Sequence, residues 1–121
     1  MLIAYWIVAG LLALAFLFSG AVKLVRSREQ VIGMGMRFAE DFSSPVVKLI
    51  GAAEVLGAIG LVLPPLTGIA PVLAPIAAIG LGIIMIGAVV VHVRRSEPPI
   101  PNVVLLALAI ASAVLGFLVW V

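Results

Sequence analysis

Four apolar stretches, each about long enough to cross a lipid bilayer, take up most of this 121-residue chain. A membrane-spanning helix needs about 20 consecutive, mainly apolar residues. The chain is 65% hydrophobic and only 10% charged, which is typical of an integral membrane protein. The sequence therefore predicts a single-domain, all-α membrane protein whose four transmembrane helices form a bundle. The predicted helices cover about residues 2–24, 45–63, 69–92 and 102–121.

The positive charges of the chain all fall on one side of the predicted membrane. The first and third helices end on this side, and the second and fourth begin there, whereas the opposite side carries no charged side chain. Loops rich in Lys and Arg tend to stay in the cytoplasm. The pattern therefore predicts a multi-pass protein with its charged side in the cytoplasm and both termini outside. The seven basic residues are Lys23, Arg26, Arg28, Arg37, Lys48, Arg94 and Arg95.

The longest segment outside the apolar stretches, residues 25–44, mixes charged and large apolar side chains. The apolar residues are too numerous for a solvated loop, so the segment is predicted to be an amphipathic cytoplasmic element between the first two transmembrane helices. It would be a short surface helix or a re-entrant turn, and an ordinary loop is the alternative. The apolar residues concerned are Val31, Ile32, Met34, Met36, Phe38 and Phe42.

The composition excludes several kinds of chemistry. Without cysteine, the chain alone cannot supply a thiolate nucleophile, a disulfide relay or an iron–sulfur cluster. Its single histidine, His92, cannot form a bis-histidine haem site. No metal site is visible, and there is neither a basic stripe nor a motif for nucleic acid. Any electron carrier must therefore come from a partner or from a bound cofactor.

The most informative residue is Glu54, a single carboxylate well inside the second apolar stretch. An ionised side chain is costly in the bilayer, so an acid at this depth is rare and suggests a function. Gly51 and Gly57 lie three residues before and after it, which lets a neighbouring helix approach this region closely. Two interpretations remain open, a ligand or proton role and a structural ion pair. The cations available for such a pair are Lys23, Arg26 and Lys48.

Four further polar residues are predicted at the charged ends of the helices, in or near the depth range of Glu54. Ser19, Lys23, His92 and Asn102 would line a polar pocket open toward the cytoplasm if their helix faces point inward. Each also has a local explanation. Lys23 can reach the headgroups, His92 can lie at the interface, Asn102 can cap its helix and Ser19 can bond a carbonyl one turn earlier.

Two motifs carry a resemblance to a known family. The end of the first helix reads Phe18-Ser19-Gly20-Ala21-Val22-Lys23-Leu24, and the second helix contains Gly51-Ala52-Ala53-Glu54-Val55-Leu56-Gly57, continuing to Pro64. His92 late in the third helix and Asn102 at the start of the fourth also fit. The chain thereby resembles the DoxX-like family of small four-helix bacterial membrane proteins over nearly its whole length.

The resemblance implies where the protein works, namely with redox complexes in a membrane, but it does not imply a particular reaction. The family is named for a subunit of a thiosulfate:quinone oxidoreductase, and related proteins are associated with redox complexes of the bacterial inner membrane. Ser19, Lys23 and Glu54 match its motifs and are expected to be pocket residues. The lack of cysteine argues against direct sulfur chemistry by this chain.

Three functions follow as hypotheses. The first is a membrane subunit that serves a redox partner and holds a quinone, with Ser19, Asn102, Gly51 and Gly57 as ligand-binding candidates. The second is a small enzyme acting on a lipophilic substrate, with Glu54 as general acid or base. Lys23 or His92 would then be the charge partner. The third and weaker one is a proton-coupled exporter formed as a homo-oligomer.

Overall fold

The computed structural model describes residues 1–121 and contains helices but no strands. A five-residue 3-10 helix, Arg37–Asp41, lies between the second and third α-helices. The five α-helices are α1 (Leu2–Val25), α2 (Arg28–Gly33), α3 (Ser44–Thr67), α4 (Leu73–Arg94) and α5 (Ile100–Trp120).

The four long helices form a closed ring in the order α1, α3, α4, α5, with neighbours antiparallel. Each is long and apolar enough to cross a membrane. Large apolar side chains cover the outside of the bundle, as expected for surfaces that face lipid. The predicted all-α, four-helix membrane bundle is confirmed. Its central core consists of Leu12, Ala13, Phe16, Ala58, Leu61, Ala78, Leu81, Met85 and Ala109.

The predicted end of the second transmembrane helix at residue 63 is wrong, because α3 continues through Pro64 and Pro65 to Thr67. A proline lacks an N–H and leaves the carbonyl four residues earlier without its helical donor. The Tyr5 hydroxyl donates to the Leu61 carbonyl at 2.7 Å, which replaces the donor missing at Pro65. The helix ends at Gly68, whose left-handed backbone (φ 76°) suits glycine.

The other helix boundaries also follow from prolines. The third transmembrane helix begins at Leu73 and not at residue 69, which places Pro75 in the first turn, where no helical N–H is needed. The fourth begins at Ile100 and not at residue 102, with Pro101 in its first turn. As a result, Asn102 lies inside the helix and does not cap it.

The segment between α1 and α3 is helical and packs on the bundle. Helix α2 begins with a capping box in which Ser27 and Gln30 exchange side-chain-to-backbone hydrogen bonds. Val31, Ala39 and Val47 are buried together and form a small second core. This core attaches α2 and the 3-10 helix to the charged ends of α1 and α3.

Three aromatic residues close the opposite, uncharged end. The rings of Tyr5, Trp6 and Trp120 pack edge to face, with centroids 5.4–6.0 Å apart. Tyrosines near the ends of transmembrane helices are often found at the membrane interface, yet the side chain of Tyr5 points inward and is completely buried. The hydrogen bond to Leu61 accounts for this burial.

Candidate functional site

A cavity of about 520 Å³ lies inside the charged end of the bundle. The four long helices supply its walls, and the segment around the 3-10 helix supplies its roof. Most of the lining is apolar, and its main aromatic and aliphatic contributors are Phe16, Met36, Phe38, Phe42, Ile50 and Leu105. Its polar side chains are those of Ser19, Lys23, Glu54, His92 and Asn102. The five polar residues predicted to share a pocket thus lie around one cavity.

A buried ion pair forms the deepest polar part of this cavity. Lys23 Nζ lies 2.5 Å from Glu54 Oε1 and 2.8 Å from Ser19 Oγ, while Ser19 Oγ is 3.4 Å from both Glu54 oxygens. Only 1% of Glu54 and 5% of Lys23 remain exposed. An isolated charge would be very costly here, so the pairing explains how both ions are accommodated. Of the three cations considered for Glu54, the structure selects Lys23.

The helix contact beside this pair depends on glycine. A Cβ added to Gly51 would lie 2.7 Å from Lys23 Cβ and 2.9 Å from the Gly20 carbonyl oxygen, closer than atoms can pack. Gly57 is in a similar position, because its Cβ would meet the Leu81 side chain. Gly51 and Gly57, predicted as ligand-binding residues, lie outside the cavity lining. Their observed role is to bring helices together.

The remaining two predicted residues lie near the mouth of the cavity. His92 does not contact Glu54; its Nδ1 lies 3.1 Å from Glu97 Oε1. Asn102 Nδ2 lies 3.8 Å from Met85 Sδ, which is a weak hydrogen bond. Both residues therefore keep polar groups free for a molecule in the cavity.

Aromatic and charged residues of the roof were missed in the sequence. The Phe38 ring lies over Lys23 Nζ at 5.2 Å, within the range of a cation–π contact. Arg28 holds the roof from one side by donating to the carbonyls of Ala39, Glu40 and Phe42 at 2.7–2.9 Å. Besides the apolar residues of this segment, the capping pattern Ser27–Gln30 was a further signal that the segment is structured.

Arg95 holds the roof from the other side. Its guanidinium binds Asp41 at 2.9 Å, Glu40 at 2.6 Å and Glu97 at 3.3 Å. The hydrogen bond to Asp41 is the largest of the effects that raise the pKa of Arg95 above its ordinary value, so this residue keeps its charge. Glu40 lies 55 positions away in the chain, and no local pattern links it to Arg95.

The geometry allows binding of a small polar head on a lipophilic body. Lys23 has three N–H donors, of which two are used by Ser19 and Glu54. The Asn102 amide and the free ring nitrogen of His92 add further polar positions. No group of three His, Cys, Asp or Glu side chains is arranged to hold a metal ion.

Comparison with known proteins places the chain in one family. A sequence model described as the DoxX-like family matches residues 7–113, which include both motifs and the cavity. Searches of curated proteins and of solved structures gave no match. The match covers most of the chain and confirms the resemblance seen in the two motifs. The protein is therefore a multi-pass membrane protein that belongs to the DoxX-like family.

Proposed function

We propose that the cavity binds a lipophilic ligand with a small polar headgroup, of the quinone class, and that the protein serves a redox system as a membrane subunit. One observation carries this proposal. A largely apolar cavity of about 520 Å³ has the buried Lys23–Glu54 pair as its polar floor. Small-molecule sites commonly enclose about 300–1,000 Å³ and combine an apolar lining with a few polar groups.

The polar groups of the cavity suit a ligand that carries ring oxygens. The third N–H of Lys23 and the amide of Asn102 are donors for such oxygens. Aromatic and aliphatic side chains around them, including Phe16 and Phe42, suit the ring and the start of an apolar tail. A quinone is thus the expected bound cofactor.

The proposed setting is the cytoplasmic membrane of a bacterium. The charged end of the bundle would face the cytoplasm, with both termini outside, because all Lys and Arg residues lie at that end. The segment from residue 26 to residue 43 would then be an amphipathic element at the cytoplasmic surface. A redox protein that exchanges electrons with the bound quinone would dock at this end, and a homo-oligomer is the alternative assembly.

The proposal can be tested with a substitution that fills the cavity and leaves the Lys23–Glu54 pair unchanged. Gly87 and Gly80 both belong to α4, and a Cβ on either meets no atom within 4 Å. Gly87 lines the cavity, whereas Gly80 does not. Gly87→Leu should weaken binding of decylubiquinone at least about tenfold, since a leucine side chain would occupy the ligand's space. Gly80→Leu is the matched control and should bind like the wild type.

The measurement is titration of the purified protein in detergent with decylubiquinone, followed by native mass spectrometry. Circular dichroism should show equal helix content in all three proteins. Saturable binding that is lost only in Gly87→Leu supports the proposal. If decylubiquinone fails to bind the wild type, or binds all three proteins equally, the cavity is not a quinone site.

A second candidate is an enzyme that uses Glu54 as general acid or base. The observation in its favour is that this carboxylate lies at the cavity floor with a cation and a hydroxyl beside it. Any conversion of a cavity-bound molecule should then disappear in Glu54→Gln while the molecule still binds. Normal turnover by that variant would eliminate this candidate.

A further inference from the structure

Three residues at the mouth of the cavity form a hydrogen-bonded chain. Arg95 Nε lies 3.3 Å from Glu97 Oε2, and the other oxygen of Glu97 lies 3.1 Å from His92 Nδ1. The guanidinium of Arg95 is held in turn by Glu40 and Asp41. His92 also lines the cavity, so the chain connects a surface ion-pair network with the ligand space.

This geometry determines which nitrogen of the imidazole carries the proton. A carboxylate oxygen only accepts hydrogen bonds, so His92 Nδ1 must donate to Glu97. In the neutral ring, the other nitrogen, Nε2, then has a lone pair and no hydrogen. Nε2 makes no hydrogen bond within the protein, and since His92 lines the cavity, Nε2 is the acceptor that the ring can offer to a ligand.

We infer that His92, oriented by Glu97, makes the cavity select a ligand that donates a hydroxyl hydrogen bond, so that a quinol binds more tightly than its quinone. The inference rests on the proposed function, since it concerns the same cavity. His92 would contact the ligand, and Glu97 is a positioning residue that acts through His92.

The two oxidation states of the ligand differ in this respect. A quinol hydroxyl can donate to His92 Nε2 and can accept from another group, whereas a quinone carbonyl can only accept. A carbonyl oxygen opposite Nε2 would bring two lone pairs together and leave both groups without a partner. Lys23 donates to the oxygen of either form, and the Asn102 amide can donate or accept, so neither residue distinguishes the two forms. The other acceptor in the cavity, Glu54, is already paired with Lys23 and Ser19. His92 Nε2 has no partner in the protein, so His92 is the residue at which we expect the two forms to be distinguished.

Glu97→Gln should exchange the donor and acceptor nitrogens of His92, while the side chain at position 97 keeps its shape. Arg95 can only donate, so it would hold the carbonyl oxygen of the new amide, and the amide nitrogen would face His92. Nδ1 would become the acceptor and Nε2 would carry the hydrogen. The same exchange in the Ser-His-Asp triad also keeps the geometry and produces the wrong tautomer.

The tautomer can be measured directly because His92 is the only histidine of the chain. With ¹⁵N-labelled histidine, nuclear magnetic resonance at pH 8.5 should show a hydrogen on Nδ1 in the wild type and on Nε2 in Glu97→Gln. Glu29→Gln is a matched control, because Glu29 is exposed on α2 and its closest cation, Arg28, is 3.9 Å away. It should give the wild-type spectrum. A wild-type ring with its hydrogen on Nε2, or with hydrogens on both nitrogens, would overturn the inference.

Binding is then compared for decylubiquinol and decylubiquinone under argon, by the same titration. The wild type and Glu29→Gln should prefer the quinol by about tenfold or more, the loss expected when one buried hydrogen bond is replaced by two unpaired groups. Glu97→Gln should lose or reverse the preference. Should that variant fold poorly, His92→Phe removes the acceptor and should also abolish the preference.

The outcomes separate this inference from the proposed function. If neither compound binds, the quinone site itself is wrong and the inference fails with it. If both bind the wild type equally well, the site stands and the selection by His92 is wrong. A quinol preference that persists in both Glu97→Gln and His92→Phe also contradicts the role of His92.

Discussion

The buried pair of Lys23 and Glu54 joins the two family motifs at one point. Lys23 belongs to the motif at the end of α1, and Glu54 belongs to the motif in α3. Gly20 and Gly51, one from each motif, let the two helices approach closely beside it. The small residues and the charged residues of the motifs therefore support the same contact, because the close approach allows the two side chains to meet.

Removing one charge of this pair should cost far more stability than removing both. Glu54→Gln leaves Lys23 buried without its counterion and is expected to lower the free energy of unfolding by about 3–5 kcal/mol. The double variant Lys23→Met with Glu54→Leu replaces the pair with apolar side chains of similar size and should be close to the wild type. Unfolding by sodium dodecyl sulfate in mixed micelles, followed by circular dichroism, measures both. A double variant less stable than Glu54→Gln would contradict this account of the pair.

Among the elements, α3 shows how a transmembrane helix can pass through two consecutive prolines. The helix loses the N–H that Pro65 would have supplied to the Leu61 carbonyl, and the Tyr5 hydroxyl from α1 takes its place. In a membrane a freed backbone group needs a partner inside the protein. The last turn of α3 is therefore stabilised by a residue of another helix.

A double-mutant cycle tests this substitution of donors. Tyr5→Phe should destabilise the wild type by about 1–3 kcal/mol, since it leaves the buried Leu61 carbonyl without a donor. In a Pro65→Ala background, residue 65 regains its N–H and can bond Leu61 within the helix. There Tyr5→Phe should cost clearly less, under about 1 kcal/mol. Equal costs in the two backgrounds, by the same unfolding assay, would mean that the hydroxyl does not replace the proline's missing donor.

For the whole molecule, the distribution of charge leads to a prediction of its orientation. Labelling of single introduced cysteines can test this orientation, because the chain has no cysteine of its own. Glu29→Cys places it at the charged end, and Thr67→Cys places it at the uncharged end. In intact bacterial cells, a membrane-impermeant maleimide added after permeabilisation of the outer membrane should label Thr67→Cys. Glu29→Cys should react only after the inner membrane is opened. The reverse pattern would invert the proposed topology.

The sequence predicts the four transmembrane helices because their apolar stretches are long and separated by prolines, glycines and charges. It predicts Glu54 with Lys23 as a candidate pair, and the depth of the other polar residues near the cavity. The predicted helix end at residue 63 was wrong because the Tyr5–Leu61 bond, which supplies the donor missing at Pro65, depends on tertiary structure. The predicted start at residue 69 was wrong because the helix begins only at Leu73, with Pro75 in its first turn. The contacts of Arg95 with Glu40 and Asp41 likewise join distant parts of the chain, so no local periodicity reveals them.

The aromatic cluster at the uncharged end bears on how a ligand can enter and leave the bundle. Tyr5, Trp6 and Trp120 fill one end of the bundle, and a buried layer that includes Leu12 and Leu61 lies between them and the cavity. The cavity lining includes none of these aromatic residues, so the cavity does not continue to the uncharged end. We therefore expect a single copy to take up and release a bound molecule at the charged end of the bundle.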